Sequence, residues 1–135
     1  MMKGLRIHGY VIMPNHVHAV LSSEKAILSG IVRDHKRFTS AEISRLLLER
    51  NDQKLIRYFK VAANRAGRGN DFKVWQTGCH PVGLLSHEFF QQKLDYLHLN
   101  PVRKGFVDRP EHWLYSSARN YYLDDESIMT IDRLE

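Results

Sequence analysis

The chain has 135 residues, which is the size of one domain, and it carries 20 Lys and Arg against 15 Asp and Glu. Its single cysteine, Cys79, excludes an internal disulfide, and no apolar run is long enough for a membrane span or a signal peptide, so we expect a cytoplasmic protein. Residues 1–123 contain 19 basic and 10 acidic residues, whereas residues 124–135 contain 1 basic and 5 acidic residues. The positive charge of residues 1–123 suits a polyanionic partner, of which nucleic acid is the first candidate.

The first predicted element is a β-hairpin around the stretch "YVIMPNHVHAVL", residues 10–21. One strand is expected from about Leu5 to Met13, and the Pro-Asn pair after it is a turn signal. His16 and His18 then share one face of the second strand, because side chains two apart on a strand point the same way. Such a pair more often packs than binds a metal, and two nitrogen ligands do not fill a coordination shell. The opposite face is expected to be the core side, with Val17, Ala19 and Leu21.

The middle of the chain is predicted to be helical. Thr39 followed by Glu42 fits a capping box, so the stretch from about residue 28 to 50 is one helix or two. A further helix is expected from Asp52 to Arg65. Its apolar side would hold Leu55, Phe59 and Ala62 or Ala63. A turn at 67–71, a short strand at 72–76 and a loop at 77–85 follow.

The last long helix is predicted to begin after a Ser86 cap and to end at Asn100, because Pro101 disfavours helical geometry in the residue before it. Phe90, Leu94 and Leu97 form its buried stripe, and a second stripe beside it contains Phe89, Lys93, Tyr96 and Asn100. Tyr96 and Asn100 lie one turn apart at the border of the core. From the residues alone, a boundary aromatic and a helix-ending amide are the simpler interpretation.

Three segments, "HGYVIMPNHVHAVL", "YLHLNPVRKGFV" and "WLYSSARNYY", closely resemble the single-tyrosine HUH transposases of small bacterial insertion sequences in their order and spacing. The nearest branch is the one associated with repetitive extragenic palindromes, and the similarity runs from about Leu5 to Tyr122. It implies an α+β, ferredoxin-like antiparallel sheet with helices packed on it, in a nuclease domain at residues 1–123 followed by an acidic tail at 124–135. Members of this family usually have a strand and a helix before the hairpin, and we expect this chain to lack both, because "MMKGLRIHGY" stands just ahead of the hairpin.

The resemblance also implies a site. His16 and His18 would be two ligands of a divalent metal, Mg²⁺ or Mn²⁺, Asn100 the third, and Tyr96 the nucleophile. The implied reaction is transposition by cleaving and rejoining single-stranded DNA, at hairpins of palindromic repeats, through a 5′-phosphotyrosine. Such a protein would be associated with the nucleoid, as a monomer or a homodimer. The tyrosine could lose its proton to a base such as water, with help from metal-organised charge or from Lys93.

Alternatives remain for the residues and for the function. Tyr115, Tyr121 and Tyr122 rival Tyr96 on chemistry alone, and the other ligand candidates are His80, His87 and His98, of which His98 lies far around the helix from Tyr96. The protein could instead be a catalytically inactive DNA-hairpin-binding protein or another metal-dependent hydrolase. The candidate DNA contacts, some of which will only be solvated, are Arg33, Lys36, Arg37, Lys54, Arg57, Lys60, Arg65, Arg68, Lys93, Arg103 and Lys104.

Overall fold

The computed structural model describes residues 4–23, 27–67, 73–75 and 86–133 of the chain. Within these ranges the protein has one two-stranded antiparallel sheet and four α-helices, so the predicted α+β class is confirmed. None of these helices is long and apolar enough to cross a membrane. The elements are β1 (Leu5–Ile12), β2 (Val17–Ser23), α1 (Leu28–Glu49), α2 (Gln53–Arg65), α3 (His87–Arg103), a short 3-10 helix (Pro110–His112) and α4 (Ala118–Leu123).

The chain divides into two compact units. The hairpin unit comprises Met1–Leu28 and Val82–Glu135, and the helical unit comprises Ser29–Pro81. The predicted loop at 77–85 and most of the predicted turn at 67–71 lie outside the described residues, as do three residues named above, Arg68, Cys79 and His80.

In the hairpin unit, β1 and β2 pair as predicted, with Ile12 opposite Val17 and Val11 opposite His18. The turn is closed by a hydrogen bond of 2.8 Å from the Met13 amide to the His16 carbonyl. Pairing slips by one residue next to Gly9, which makes a bulge. Any side chain at Gly9 would overlap Leu94 Cδ1, so a glycine allows α3 to approach the sheet closely there.

The core of this unit lies on the histidine-bearing face of β2, which corrects the predicted orientation. Val17 is 42% exposed and Ala19 is also exposed, whereas Val20, on the same side as His18, is buried. The buried cluster joins both strands to α3 and consists of Val11, Met13, Val20, Phe90, Leu94 and Leu97. The physical reason is that Val11, the cross-strand partner of His18, offers α3 an apolar surface on that same face.

Helix α3 begins as predicted and ends later than predicted. The Ser86 hydroxyl accepts from the Phe89 amide at 3.1 Å, and Phe90, Leu94 and Leu97 are buried as expected. The helix continues through Pro101 to Arg103, however, rather than ending at Asn100. A proline inside a helix removes one amide donor, and here its ring is fully buried, which offsets part of that cost.

In the helical unit, α1 is one continuous helix, and the predicted capping box at Thr39 is wrong. The Thr39 hydroxyl instead donates back to the His35 carbonyl at 2.8 Å and accepts from Trp75 Nε1 at 2.9 Å. Residues 73–75, the described part of the predicted strand at 72–76, are not in a strand.

Helix α2 is capped by Asp52, whose carboxylate accepts from the Leu55 amide at 3.2 Å, and it ends at Arg65 as predicted. Its predicted apolar side is partly wrong, since Ile56 and Ala63 are buried while Leu55 is exposed. Leu55 and Ile56 are adjacent and both apolar, so spacing alone did not distinguish which of them faces inward.

The edge of β1 that faces away from β2 is covered by the C-terminal part of the chain. Ile12 donates to the Tyr115 carbonyl at 2.9 Å, and the Tyr10 carbonyl accepts from Ser117 at 2.9 Å. Further along, the Ile7 carbonyl accepts from Asp132 at 2.8 Å. These bonds satisfy backbone groups of a strand that would otherwise be a bare edge.

The acidic tail is therefore attached to the hairpin unit, and two of its carboxylates form ion pairs. Asp125 lies 2.8 Å from Arg119, and Asp124 lies 2.6 Å from Arg133. Hydrogen bonds from Ser127, together with the Arg119 guanidinium, lower the pKa of Asp125 to about 2. Ile131 is buried, which fixes the tail further.

A buried polar contact joins α3, β1 and the segment before α4. His98 is 1% exposed, and its Nε2 lies 2.7 Å from the Ser117 hydroxyl. The same hydroxyl accepts from the Tyr10 amide at 2.9 Å. Burial lowers the pKa of His98 to about 4, from an ordinary value of 6.5, so this imidazole is neutral at physiological pH.

We expect acid to destabilise the protein through His98. Between pH 6.5 and about 4 the unfolded chain takes up a proton on this residue and the folded chain does not. The free energy of unfolding should therefore fall by roughly 3 kcal/mol across that window and change no further from this group below it. Urea unfolding at several pH values measures the effect. His98→Gln should flatten the profile in this window, and an equal slope in both proteins would contradict the assignment.

Candidate metal and nucleophile site

The hairpin turn and the C-terminal half of α3 bring together four of the predicted site residues. The rings of His16 and His18 are 4.9 Å apart between centroids, and His18 and Tyr96 are 6.1 Å apart, edge to face. Asn100 Nδ2 lies 3.4 Å from His16 Nε2. His16 and Asn100 are 84 residues apart in the sequence, so two distant segments of the chain form one cluster.

His16 is oriented by its neighbour in the turn. Asn15 Oδ1 lies 2.6 Å from His16 Nδ1. An amide oxygen only accepts hydrogen bonds, so Nδ1 carries the proton and, in the neutral ring, Nε2 keeps its lone pair. That lone pair faces Asn100, where a cation or a donor group can reach it. The sequence predicts Asn15 only as a turn residue. Its position directly before a histidine is the sequence feature that indicates this contact with His16.

His18 is half-buried between its neighbours, and its pKa is lowered. Burial is the main cause, and positive charge on His16 and Arg103 acts in the same direction. The neutral imidazole is therefore favoured near neutral pH, and this is the form of histidine that binds a metal.

Tyr96 presents its ring to solvent beside the histidines, with 54% of the residue exposed. The Arg103 guanidinium lies 4.0 Å from the ring centroid, and its Nη2 donates to the Tyr96 carbonyl at 2.7 Å. The sequence predicts Arg103 only as a DNA contact, and it predicts that α3 ends before this residue, at Asn100. In a helix that continues past Pro101, a residue seven positions after Tyr96 lies on the same stripe.

The donor set could hold a divalent ion whose remaining ligands come from outside the chain. Among the described residues, no three or more His, Cys, Asp or Glu side chains come together in a group that could hold a metal. His16 and His18 offer two nitrogens, and the Asn100 amide could add an oxygen after a half-turn that exchanges its oxygen and nitrogen. Such a set has no negative charge and fills only half of an octahedral shell, so phosphate and water oxygens would have to supply the rest.

The other tyrosines and histidines lie elsewhere. The Tyr121 hydroxyl donates to the His8 carbonyl at 2.6 Å, while Tyr115 and Tyr122 are about half exposed. Among the described residues, Tyr96 is the only tyrosine with a ring contact to His16 or His18. His87 stacks on Phe90, and His98 is held by Ser117 as described above.

The predicted DNA contacts are distributed over both units. Arg103 is at the site, and Lys104 follows it at the exposed end of α3. Lys93 Nζ lies 5.3 Å from the centroid of the Phe89 ring, one turn toward the helix start from Tyr96. The remaining described candidates are on α1 and α2, in the helical unit: Arg33, Lys36, Arg37, Lys54, Arg57, Lys60 and Arg65.

Comparison with protein family models, with curated proteins and with solved structures gave no match to this chain.

Proposed function

We propose that this protein is a DNA transposase of the HUH type, which cleaves and rejoins single-stranded DNA through a tyrosine. The observation that carries the proposal is the convergence of His16, His18, Tyr96 and Asn100 from the hairpin turn and α3. The same four residues occupy the positions that the motif resemblance assigns to two metal ligands, a nucleophile and a third ligand.

In the proposed reaction the Tyr96 oxygen attacks the scissile phosphorus and forms a 5′-phosphotyrosine. The bond from phosphorus to the departing 3′ oxygen breaks, that oxygen takes up a proton, and the phenolic proton passes to water or another base. When bound by His16, His18 and Asn100, Mg²⁺ or Mn²⁺ supplies positive charge that polarises the phosphate. Because the phosphotyrosine keeps the energy of the broken ester, a second 3′-hydroxyl can reverse the step and join strands without ATP.

The chain's own residues prepare the nucleophile. A free phenol is ionised to only about one part in a thousand at pH 7. Arg103 restrains the Tyr96 ring by lying over it and by holding its backbone carbonyl. A cation over the ring also stabilises negative charge that develops on the phenol and spreads into the ring. Lys93 is engaged with Phe89 and is a weaker candidate for this role.

The proposed function implies a specific fold, a DNA substrate and a place in the cell. The hairpin of β1 and β2, with α3 on one face, would be the catalytic part of a ferredoxin-like HUH domain. The substrate would be single-stranded DNA folded into a hairpin, which presents an unpaired phosphate beside a stem. Such a protein would act in the cytoplasm, at the nucleoid.

A catalytically inactive DNA-hairpin-binding protein is the second candidate, and one observation favours it. The Asn100 amide faces His16 Nε2 with its nitrogen, so these two groups can satisfy each other without a metal. A protein in which this hydrogen bond persists would not bind the metal. It would keep its basic surface for DNA but would not cleave the strand.

The experiment that separates the candidates uses end-labelled single-stranded DNA carrying a palindrome, incubated with the protein and either Mn²⁺ or EDTA. Denaturing electrophoresis should show a covalent protein–DNA adduct in the sample with Mn²⁺ and none in the sample with EDTA. Cleavage without an adduct would indicate a metal-dependent hydrolase. Binding in a native gel without cleavage would indicate the inactive hairpin-binding protein.

A further inference from the structure

Helix α2 carries an exposed face opposite the residues that it buries. Ile56 and Ala63 point inward, and the positions about 180° around the helix from them are exposed. We call this surface the basic face of α2. Its members lie within about 60° of Lys54 around the helix: Lys54, Arg57, Tyr58, Val61 and Arg65.

Among the described residues of the unit, no acidic side chain pairs with the positive charges of this face. Helix α2 contains four basic residues and no acidic one, and the described part of the chain shows no acidic partner for Lys54, Arg57 or Arg65. Helix α1 of the same unit differs, because Arg45 there pairs with Glu42 at 2.9 Å and with Glu49 at 2.7 Å. The basic face therefore attracts an anion, whereas the charges on this part of α1 are already satisfied.

The spacing of the charges suits a polymer of phosphates better than a single anion. Lys54 and Arg65 are separated by roughly 16 Å along the helix axis, at about 1.5 Å per residue. One strand of DNA carries a phosphate every 3.4 Å or so in a duplex and less often when it is extended, so the face can contact several phosphates in a row.

An aromatic ring lies among these charges. Tyr58 is 68% exposed, although its ring also contacts Phe59 edge to face at 5.5 Å, which limits how the ring can turn. Exposing a large aromatic costs hydrophobic free energy that burial would recover. A ring between cations is, however, the arrangement on which an unpaired base can stack while its phosphates are neutralised.

We propose that the basic face of α2 binds single-stranded DNA, with Tyr58 stacking on a base and Lys54, Arg57 and Arg65 contacting the backbone. The occupant is single-stranded because bases within a duplex are stacked on one another and do not offer a free face to Tyr58. The inference rests on the proposed function, since it names a surface that would hold the strand in addition to the residues around Tyr96.

The test measures binding of a fluorescent oligothymidylate to the whole protein by anisotropy, in EDTA so that metal and cleavage do not contribute. Tyr58→Ala should weaken binding about tenfold, and Tyr58→Phe, which keeps the ring, should retain it. Lys54→Gln should reduce the slope of log affinity against log salt by about 0.7, whereas Tyr58→Ala should leave that slope unchanged. Leu48→Ala is the matched control, because Leu48 is a large exposed side chain on α1 of the same unit.

Equal affinity of the wild type and Tyr58→Ala would overturn the inference, as would equal weakening by Leu48→Ala. Stronger binding to vesicles of phosphatidylserine and phosphatidylcholine than to the oligonucleotide would also overturn it, since the face would then be a membrane contact. Failure of this inference can be distinguished from failure of the proposed function, because binding is measured in EDTA and adduct formation with Mn²⁺ tests Tyr96. If the wild type forms the adduct and Tyr58→Ala binds the oligonucleotide as tightly as the wild type, only this inference is overturned.

Discussion

Tyr96→Phe should abolish the covalent protein–DNA adduct, lowering its rate of formation by at least about 1000-fold. The substitution removes one oxygen, the attacking atom, and leaves the ring that Arg103 covers. Packing and DNA binding should therefore be unchanged, and only the chemical step should be lost. Denaturing electrophoresis after incubation with Mn²⁺ measures the rate, and anisotropy in EDTA measures binding.

Matched controls come from the other exposed tyrosines. Tyr115→Phe and Tyr122→Phe remove the same atom from residues that are also about half exposed and that, within the described part of the chain, make no ring contact with His16 or His18. Both variants should form the adduct at the wild-type rate. An adduct that persists in Tyr96→Phe and disappears in one of these controls would assign the nucleophile to that tyrosine instead.

Removal of the histidines should cost metal affinity. His16→Ala and His18→Ala should each weaken Mn²⁺ binding by about 100-fold, because each removes one of only two imidazole nitrogens in the site. The electron paramagnetic resonance signal of free Mn²⁺ gives the affinity directly and does not depend on activity. Since the pKa of His18 is lowered, this ligand should remain available to the metal as the pH falls to about 6.5.

Two further variants provide a graded effect and a control for the measurement of Mn²⁺ affinity. Asn15→Ala removes the group that holds the His16 ring and should have a smaller effect, about tenfold. His87→Ala changes a histidine that stacks on Phe90 outside the cluster, and it should bind Mn²⁺ like the wild type. If both single variants of the histidine pair bind Mn²⁺ as tightly as the wild type, the pair is structural and the inactive hairpin-binding protein becomes the better assignment.

Local patterns predicted the elements that carry the candidate site. The spacing of Phe90, Leu94 and Leu97 identified the buried side of α3 and predicted Tyr96 and Asn100 at its border. Tyr96 is exposed in the structure, whereas Asn100 is buried. The Ser86 cap was also predicted, and its hydroxyl satisfies a free amide of the first turn. Asp52 was predicted only as the approximate start of α2, where its carboxylate forms the observed cap.

Features that depend on distant partners were not predictable from these patterns. Both faces of β2 carry apolar residues, and only the position of α3 decides that Val20 is buried and Val17 exposed. Thr39 fits a cap locally, but α1 continues past it and Trp75 donates to its hydroxyl. Pro101 should end a helix on local grounds, yet burial of its ring allows α3 to extend and brings Arg103 to Tyr96.

The covering of β1 by the C-terminal segment has a consequence for how the protein folds during synthesis. His8 contacts Asp132, 124 residues away, and the Tyr10 amide contacts Ser117, 107 residues away. The strand is translated before the backbone that protects it, and more than 100 residues of chain separate the two. Closing such long loops is entropically costly and slow, so we expect the hairpin to spend its time on the ribosome with an open edge. Nascent chains that end before residue 115 lack Tyr115, Ser117 and Asp132, which bond to β1 in the folded protein. Chaperone dependence should therefore be greatest for these chains.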